Sequence, residues 1–238
     1  MSVNNQKIAK KLIEILSTEK GYFGRVNTLG QKPSKYEYIG YALSEDFSVT
    51  LKNMNDTQKK TLIKAINYFE IHAGPLKSIL VAAEKVSFSL FYEITWSQFM
   101  TVIMFGILEI VIKGDNKTLY NKGKKINDFL QENLSDKIKN DITERYCPNS
   151  FLIKKEKYKN FSEVICHLWD EIRSGFIHDG GIESRGLEWY LLEGIGTKED
   201  PLTFKSDVPM QEFLQITWQA ILNSFGYKGE IILPSYKK

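Results

Sequence analysis

The chain has 238 residues, and its 32 Lys and Arg against 29 Asp and Glu give a formal net charge of +3. With 42% hydrophobic and 26% charged residues, the composition is typical of a globular protein and excludes collagen-like, disordered and highly charged chains. The length predicts one large domain, or one domain with an extension.

Cysteine content and hydropathy exclude two further classes of protein. Cys147 and Cys166 are too few for a disulfide framework, and no CxxC pair is present for zinc. The most apolar run, residues 99–112, includes Glu109 and is shorter than the about 20 apolar residues of a membrane-spanning helix. The charged, amphipathic first 20 residues do not resemble a signal peptide. We therefore expect a cytoplasmic protein without membrane contact. Separately, we expect Cys166 to lie in the core.

The N-terminal part of the chain changes character after its first helix. Apolar spacing predicts a helix over residues 5–20, which Gly21 ends. Glycine and proline then interrupt short alternating segments, of which residues 36–39 and 47–51 are candidate strands or extended loops. We interpret residues 1–54 as a small N-terminal extension and residues 55–238 as a helical domain.

Helical patterns dominate the rest of the chain. Asp56 is a good N-cap for a helix that Gly74-Pro75 ends near His72. A second helical region runs from residue 76 to residue 113, interrupted near residues 87–97, and its apolar centre predicts a central helix. Further helices are predicted over residues 117–133, 135–145, 160–177 and 209–225, with an apolar tail at 231–233 that packs on the domain. The fold class predicted is mainly all-α.

The common catalytic signatures are absent, and one helix end carries the remaining chemistry. The sequence contains no GxxxxGK[ST], GxGxxG, HExxH or GxSxG motif, and three histidines are too few for a histidine-rich metal site. We therefore expect no metal and no cofactor. Within residues 171–181, Arg173 offers a planar cation that suits a phosphate, and His178 has a side chain that exchanges protons near neutral pH.

The spacing of these two residues limits how they can meet. Residues five apart on an ideal α-helix are separated by about 140° around the axis. Arg173 and His178 therefore converge only if the arginine reaches around the helix, or if two copies of the helix meet across a twofold axis.

An arginine followed after four to six residues by a histidine, at the end of an apolar helix, resembles the signature of HEPN domains. The string IRSGFIHDGG at residues 172–181 is similar to the Apea-like branch of that family, in which Arg-Ser precedes His-Gly-Gly. The pair Leu108-Glu109 in the preceding apolar helix agrees with this branch, as does the basic hairpin that contains Lys122, Lys124 and Lys125. The resemblance covers about residues 56–225.

This resemblance implies an all-α bundle that forms a homodimer and acts as a metal-independent endoribonuclease, in stress response or defence against foreign genetic elements. It implies that His178 is the general acid or base at the ribose 2′-hydroxyl and that Arg173 holds the phosphate. Ser174 takes the place of the polar residue that follows the arginine in active members, and Glu109 would orient Arg173 or a partner residue. The three lysines are candidate RNA contacts, and a neutralising partner protein also fits.

Other interpretations remain open. A non-catalytic HEPN relative that binds RNA, a nucleotide or a protein is favoured by Ser174 and the modest net charge. A helical scaffold with no role on nucleic acid is a third hypothesis. Arg173 and His178 could also be structural, with His178 capping its own helix. In that case Arg173 would form an ion pair with Glu109, Asp170 or Glu171. The lysines could belong to a solvated face, because Asp128 and Glu132 lie nearby.

Overall fold

The computed structural model describes residues 3–16, 42–84, 89–114, 116, 118–145, 159–174 and 210–232, and this part of the chain is predominantly helical. The α-helices are α1 (Val3–Leu16), α2 (Phe47–Asn53), α3 (Asp56–Glu84), α4 (Ser89–Lys113), α5 (Lys122–Asn133), α6 (Asp136–Arg145), α7 (Phe161–His167) and α8 (Met210–Ser224). A π-helix, Leu168–Ser174, continues directly from α7. The prediction of an all-α fold is confirmed.

Helix α4 lies at the centre of the described structure. It packs most extensively along α3 and also contacts α5, α8 and the π-helix. Its buried side chains include Met104, Phe105 and Leu108. Trp218 of α8 is fully buried, with its ring 6.1 Å from that of Phe69 on α3. These contacts confirm the central position that the apolar pattern predicted. A helix that is apolar all round must be covered on most sides.

The N-terminal elements share this core. Leu12 of α1 and Leu51 of α2 belong to the same buried cluster as the α3–α4 pair. Residues Ala42–Leu43 (β1) pair antiparallel with Ile231–Ile232 (β2) near the end of the chain. Beside this pair, the Tyr227 hydroxyl donates to the Glu45 carbonyl and accepts from the Glu45 N–H, both at 3.1 Å. The division of the chain after residue 54 stays a prediction.

The prediction of a strand or extended loop at residues 47–51 is wrong, because this segment is helix α2. Asp46 caps the helix, its carboxylate accepting a 2.9 Å hydrogen bond from the Ser48 N–H. A strand would place residues 47, 49 and 51 on one face, but Val49 is 58% exposed. The buried residues are Phe47, Thr50 and Leu51, which is helical spacing. The other strand candidate, residues 36–39, lies outside the described residues.

The prediction that Gly74-Pro75 ends a helix is also wrong, because α3 continues to Glu84. An interior proline removes one backbone hydrogen bond and costs about 3 kcal/mol. The contact between α3 and α4 is the most extensive between elements of the described structure, and tertiary contacts can override a local helix preference.

Helix α7 begins at a well-formed cap. Asn160 accepts a 3.0 Å hydrogen bond from the Glu163 N–H, and the Glu163 carboxylate accepts one of 2.9 Å from the Lys159 N–H. Phe161 and Val164 fill the buried face of the helix, whereas Cys166 is exposed. The prediction that Cys166 lies in the core is therefore wrong, because that residue projects from the opposite face. No helix within the described ranges is both long and apolar enough to cross a membrane.

Candidate functional site

A single carboxylate joins two cations at the centre of the candidate site. The Oε1 atom of Glu109 accepts a 3.1 Å hydrogen bond from Nη2 of Arg173, and its Oε2 atom lies 2.5 Å from Nζ of Lys122. The side chains of Arg173 and Glu109 are only 16% and 20% exposed, against 40% for Lys122. We call these three residues the Glu109 cluster. Two cations and one carboxylate leave it with a net charge of +1.

Arg173 is held from a second direction by an aromatic ring. Its guanidinium carbon lies 4.4 Å from the centroid of the Trp169 ring, within the range of a cation–π interaction. The Trp169 ring in turn meets the Phe105 ring edge-on, with centroids 5.2 Å apart. Arg173 is therefore placed by a charge-assisted hydrogen bond and by a ring that is itself packed on α4.

Both Trp169 and Arg173 lie in the π-helix rather than in a regular α-helix. The i→i+5 hydrogen bonds of a π-helix change the angular spacing of side chains, and such segments are often found at functional sites. The prediction of a regular α-helix over residues 160–177 is wrong for residues 168–174, which form this π-helix. The separation of about 140° derived for an ideal α-helix therefore does not apply to this segment.

Two glycines allow the close packing around the cluster. A Cβ atom on Gly123 would lie 3.1 Å from the Trp169 ring, and one on Gly106 would lie 2.6 Å from the Tyr68 hydroxyl oxygen. Gly123 follows Lys122 at the start of α5, so its lack of a side chain lets α5 approach the π-helix. Gly106 lies one turn before Glu109 on α4 and lets the ring of Tyr68 approach the backbone of that helix.

Tyr68 lies within electrostatic reach of the cluster. Burial raises the pKa of its hydroxyl, the negative charge of Glu109 raises it further, and the positive charge of Arg173 acts in the opposite direction. The phenol therefore stays protonated at neutral pH and can donate a hydrogen bond. The ring also packs at a tilt of 53° against the His72 ring, with centroids 4.2 Å apart.

The structure places some of the predicted site residues together and leaves others apart. Arg173, Glu109 and Lys122 form one cluster, and the half-buried Ser174 directly follows Arg173 at the end of the π-helix. Lys124 and Lys125 are exposed on α5. His178 lies outside the described residues, so its position relative to Arg173 stays a prediction, as do the catalytic roles of all four candidates.

Sequence reasoning missed three features of this site. It did not select Trp169, although its spacing of four residues from Arg173 places the two side chains on one side of a helix. It did not select Tyr68, although a glycine inside an apolar helix, here Gly106, indicates a close approach by another group. It assigned Lys122 to RNA alone, and no sequence signal indicates that this lysine binds Glu109.

Comparison with known proteins adds no family assignment: no family model matches the sequence, and no curated protein or solved structure matches the chain. Within the described residues, no group of three or more His, Cys, Asp and Glu side chains is placed to hold a metal ion.

The geometry of the cluster suits a bound oxyanion. A guanidinium carries five N–H donors in a planar fork, and the bond to Glu109 uses one of them. The net positive charge of the cluster and the partial burial of Arg173 strengthen its attraction for an anion, since solvent screens a half-buried charge less than an exposed one.

Proposed function

We propose that this protein is a metal-independent endoribonuclease of HEPN type, with a site formed at a homodimer interface. One observation carries the proposal. The resemblance predicts that Glu109 orients Arg173 or a partner residue, and Glu109 accepts a 3.1 Å hydrogen bond from Arg173, 64 positions away in the sequence.

In the proposed reaction, Arg173 binds the phosphate on the 3′ side of the ribose whose 2′-hydroxyl reacts. His178 takes the proton of the ribose 2′-hydroxyl, and the 2′-oxygen attacks the adjacent phosphorus. The bond between phosphorus and the 5′-oxygen of the next nucleotide breaks, and that oxygen receives a proton. The products are a 2′,3′-cyclic phosphate and a free 5′-hydroxyl. An arginine held by Glu109 and Trp169 would stabilise the developing charge with little reorganisation.

Incubation with labelled single-stranded RNA and total tRNA in excess EDTA tests the proposal. Wild-type protein should release products that end in a 2′,3′-cyclic phosphate, and His178→Ala should release none. Arg173→Ala should cleave roughly 100-fold more slowly or worse, as expected when a group that stabilises transition-state charge is lost. His167→Ala is the matched histidine control and should cleave like wild type. Circular dichroism establishes that each variant is folded.

Two results would contradict the proposed nuclease. Equal cleavage by wild type and His178→Ala would show that the activity belongs to another site or to a contaminant. A monomeric mass by light scattering, under conditions where RNA is cleaved, would exclude a site that needs two copies.

A non-catalytic RNA-binding module is the second candidate. It is favoured by the contact of both Lys122 and Arg173 with Glu109, because two cations held by one carboxylate can bind a phosphate without taking part in a reaction. Tight binding of single-stranded RNA without any cleavage by the folded, dimeric wild type would select this candidate.

A further inference from the structure

An exposed aromatic residue, Tyr120, lies two positions before Lys122 of the Glu109 cluster. Tyr120 is 73% exposed, the highest value among the large hydrophobic side chains in the part of the chain that the structure describes. It precedes the first residue of α5, Lys122, by two positions. The residue between them, Asn121, has the left-handed backbone conformation (φ 51°, ψ 50°), so the chain turns sharply between the ring and the helix.

Positive charge continues from this ring to the proposed catalytic arginine. The first turn of α5 contains no acidic residue but includes Lys122, Lys124 and Lys125, of which the last two are exposed. The first acidic residue of α5 is Asp128, one turn further along. Lys122 shares the Glu109 carboxylate with Arg173. Residues 120–125 therefore place one exposed ring and three cations next to the site.

We propose that residues 120–125 bind single-stranded RNA, with an unpaired base stacked on Tyr120 and the backbone phosphates on Lys124 and Lys125. The inference rests on the proposed function, since it supplies the substrate class for the same site. An exposed aromatic ring beside basic side chains is the combination that proteins use to bind single strands. Duplex RNA fits this surface poorly, because its bases are stacked on one another and offer no free face to the ring.

Fluorescence anisotropy with a short fluorescein-labelled oligouridine tests this surface. The full-length chain carries His178→Ala, so that the strand is not cut, and excess EDTA is present. Tyr120→Ala should weaken binding roughly 5- to 150-fold, the range for loss of one base–aromatic stack. Tyr120→Trp should retain the affinity. The matched control is Ile71→Ala, which removes an exposed apolar side chain from α3 and should leave binding unchanged.

Salt dependence tests the lysines separately. For single strands, log affinity falls with log salt concentration with a slope of about −0.7 for each phosphate neutralised. Lys124→Ala and Lys125→Ala should each make this slope shallower by about 0.7. A duplex of the same length should bind more weakly than the single strand, with no effect of Tyr120→Ala.

These measurements separate this inference from the proposed nuclease. Equal affinity of Tyr120→Ala and its parent for oligouridine would overturn the stacking surface, even if wild type cleaves RNA. Absence of single-strand binding would overturn it as well. Loss of binding in Tyr120→Ala together with a wild type that cuts no RNA would support the surface and reject the nuclease.

Discussion

Replacing Glu109 with glutamine removes the carboxylate that two cations share while keeping the size of the side chain. A hydrogen bond between charged groups contributes about 1.5–3 kcal/mol, and the glutamine carbonyl keeps a neutral bond of about 1 kcal/mol to Arg173. The 40% exposure of Lys122 limits its share to about 1 kcal/mol or less. We therefore expect Glu109→Gln to lower the free energy of unfolding by about 2 kcal/mol.

A double-mutant cycle assigns this loss to its two partners. Urea unfolding is measured for wild type, Glu109→Gln, Arg173→Met and the double variant. The coupling energy should be about 1–2 kcal/mol, as for residues in one ion-pair network. The equivalent cycle with Lys122→Met should give less than about 1 kcal/mol and should shrink as salt is added. Lys137→Met, which changes an exposed lysine of α6, is the control and should be additive with Glu109→Gln.

Independent sites are additive to within about 0.5 kcal/mol. A coupling energy below this limit between Glu109 and Arg173 would refute the structural importance of the pair. A larger coupling for Lys122 than for Arg173 would refute the reasoning from burial, because the more exposed cation would then be the stronger partner.

Three further predictions concern packing, a buried network and a helix cap. Gly106→Ala should lower the free energy of unfolding by about 1–3 kcal/mol, the usual cost of overpacking, because its Cβ would lie 2.6 Å from the Tyr68 hydroxyl oxygen. Thermal unfolding measures this loss, and adding Tyr68→Ala to the same chain should recover part of it. Gln219→Ala removes the acceptor, at 2.6 Å, of the buried Ile231 N–H and should cost about 1–3 kcal/mol, with faster hydrogen exchange at that amide. Hydrogen bonds at the start of α2 hold the pKa of Asp46 below its ordinary value. The charged Asp46 carboxylate therefore stabilises the fold fully above its ordinary pKa, and this stabilisation is lost as the pH falls through its lowered pKa. Asp46→Asn has no such carboxylate, so it should lose less stability than wild type between about pH 5 and pH 2.

Each of these predictions has a contrary result. A Gly106→Ala protein at least as stable as wild type would show that the Tyr68 ring moves away without cost. Unchanged exchange at the Ile231 amide would mean that Gln219 does not protect it. If the free energy of unfolding changes with pH in the same way in wild type and Asp46→Asn, the Asp46 carboxylate does not contribute to acid sensitivity.

The sequence alone determined the helical class and several helix boundaries, because these depend on signals within a few residues. Helix α4 ends at Lys113, where Gly114 adopts φ 55°, and α5 and α6 end at Asn133 and Arg145, as predicted. The sequence also selected Arg173 and Glu109 as site residues through the resemblance to HEPN domains, but it left Glu109, Asp170 and Glu171 open as partners of Arg173, and the structure shows the bond to Glu109.

Only the tertiary structure decided the features that depend on contacts between distant residues. Helix α3 continues past Pro75 despite a local cost of about 3 kcal/mol, and its contact with α4 is the most extensive in the described structure. Residues 47–51 are helical with Phe47 and Leu51 packed into the core that they share with the other helices, including α1. Lys122 binds Glu109, and Trp169 stacks under Arg173, because α4, α5 and the π-helix meet at one point. Local preferences differ by about 1 kcal/mol per residue, and burial of a few large side chains outweighs them.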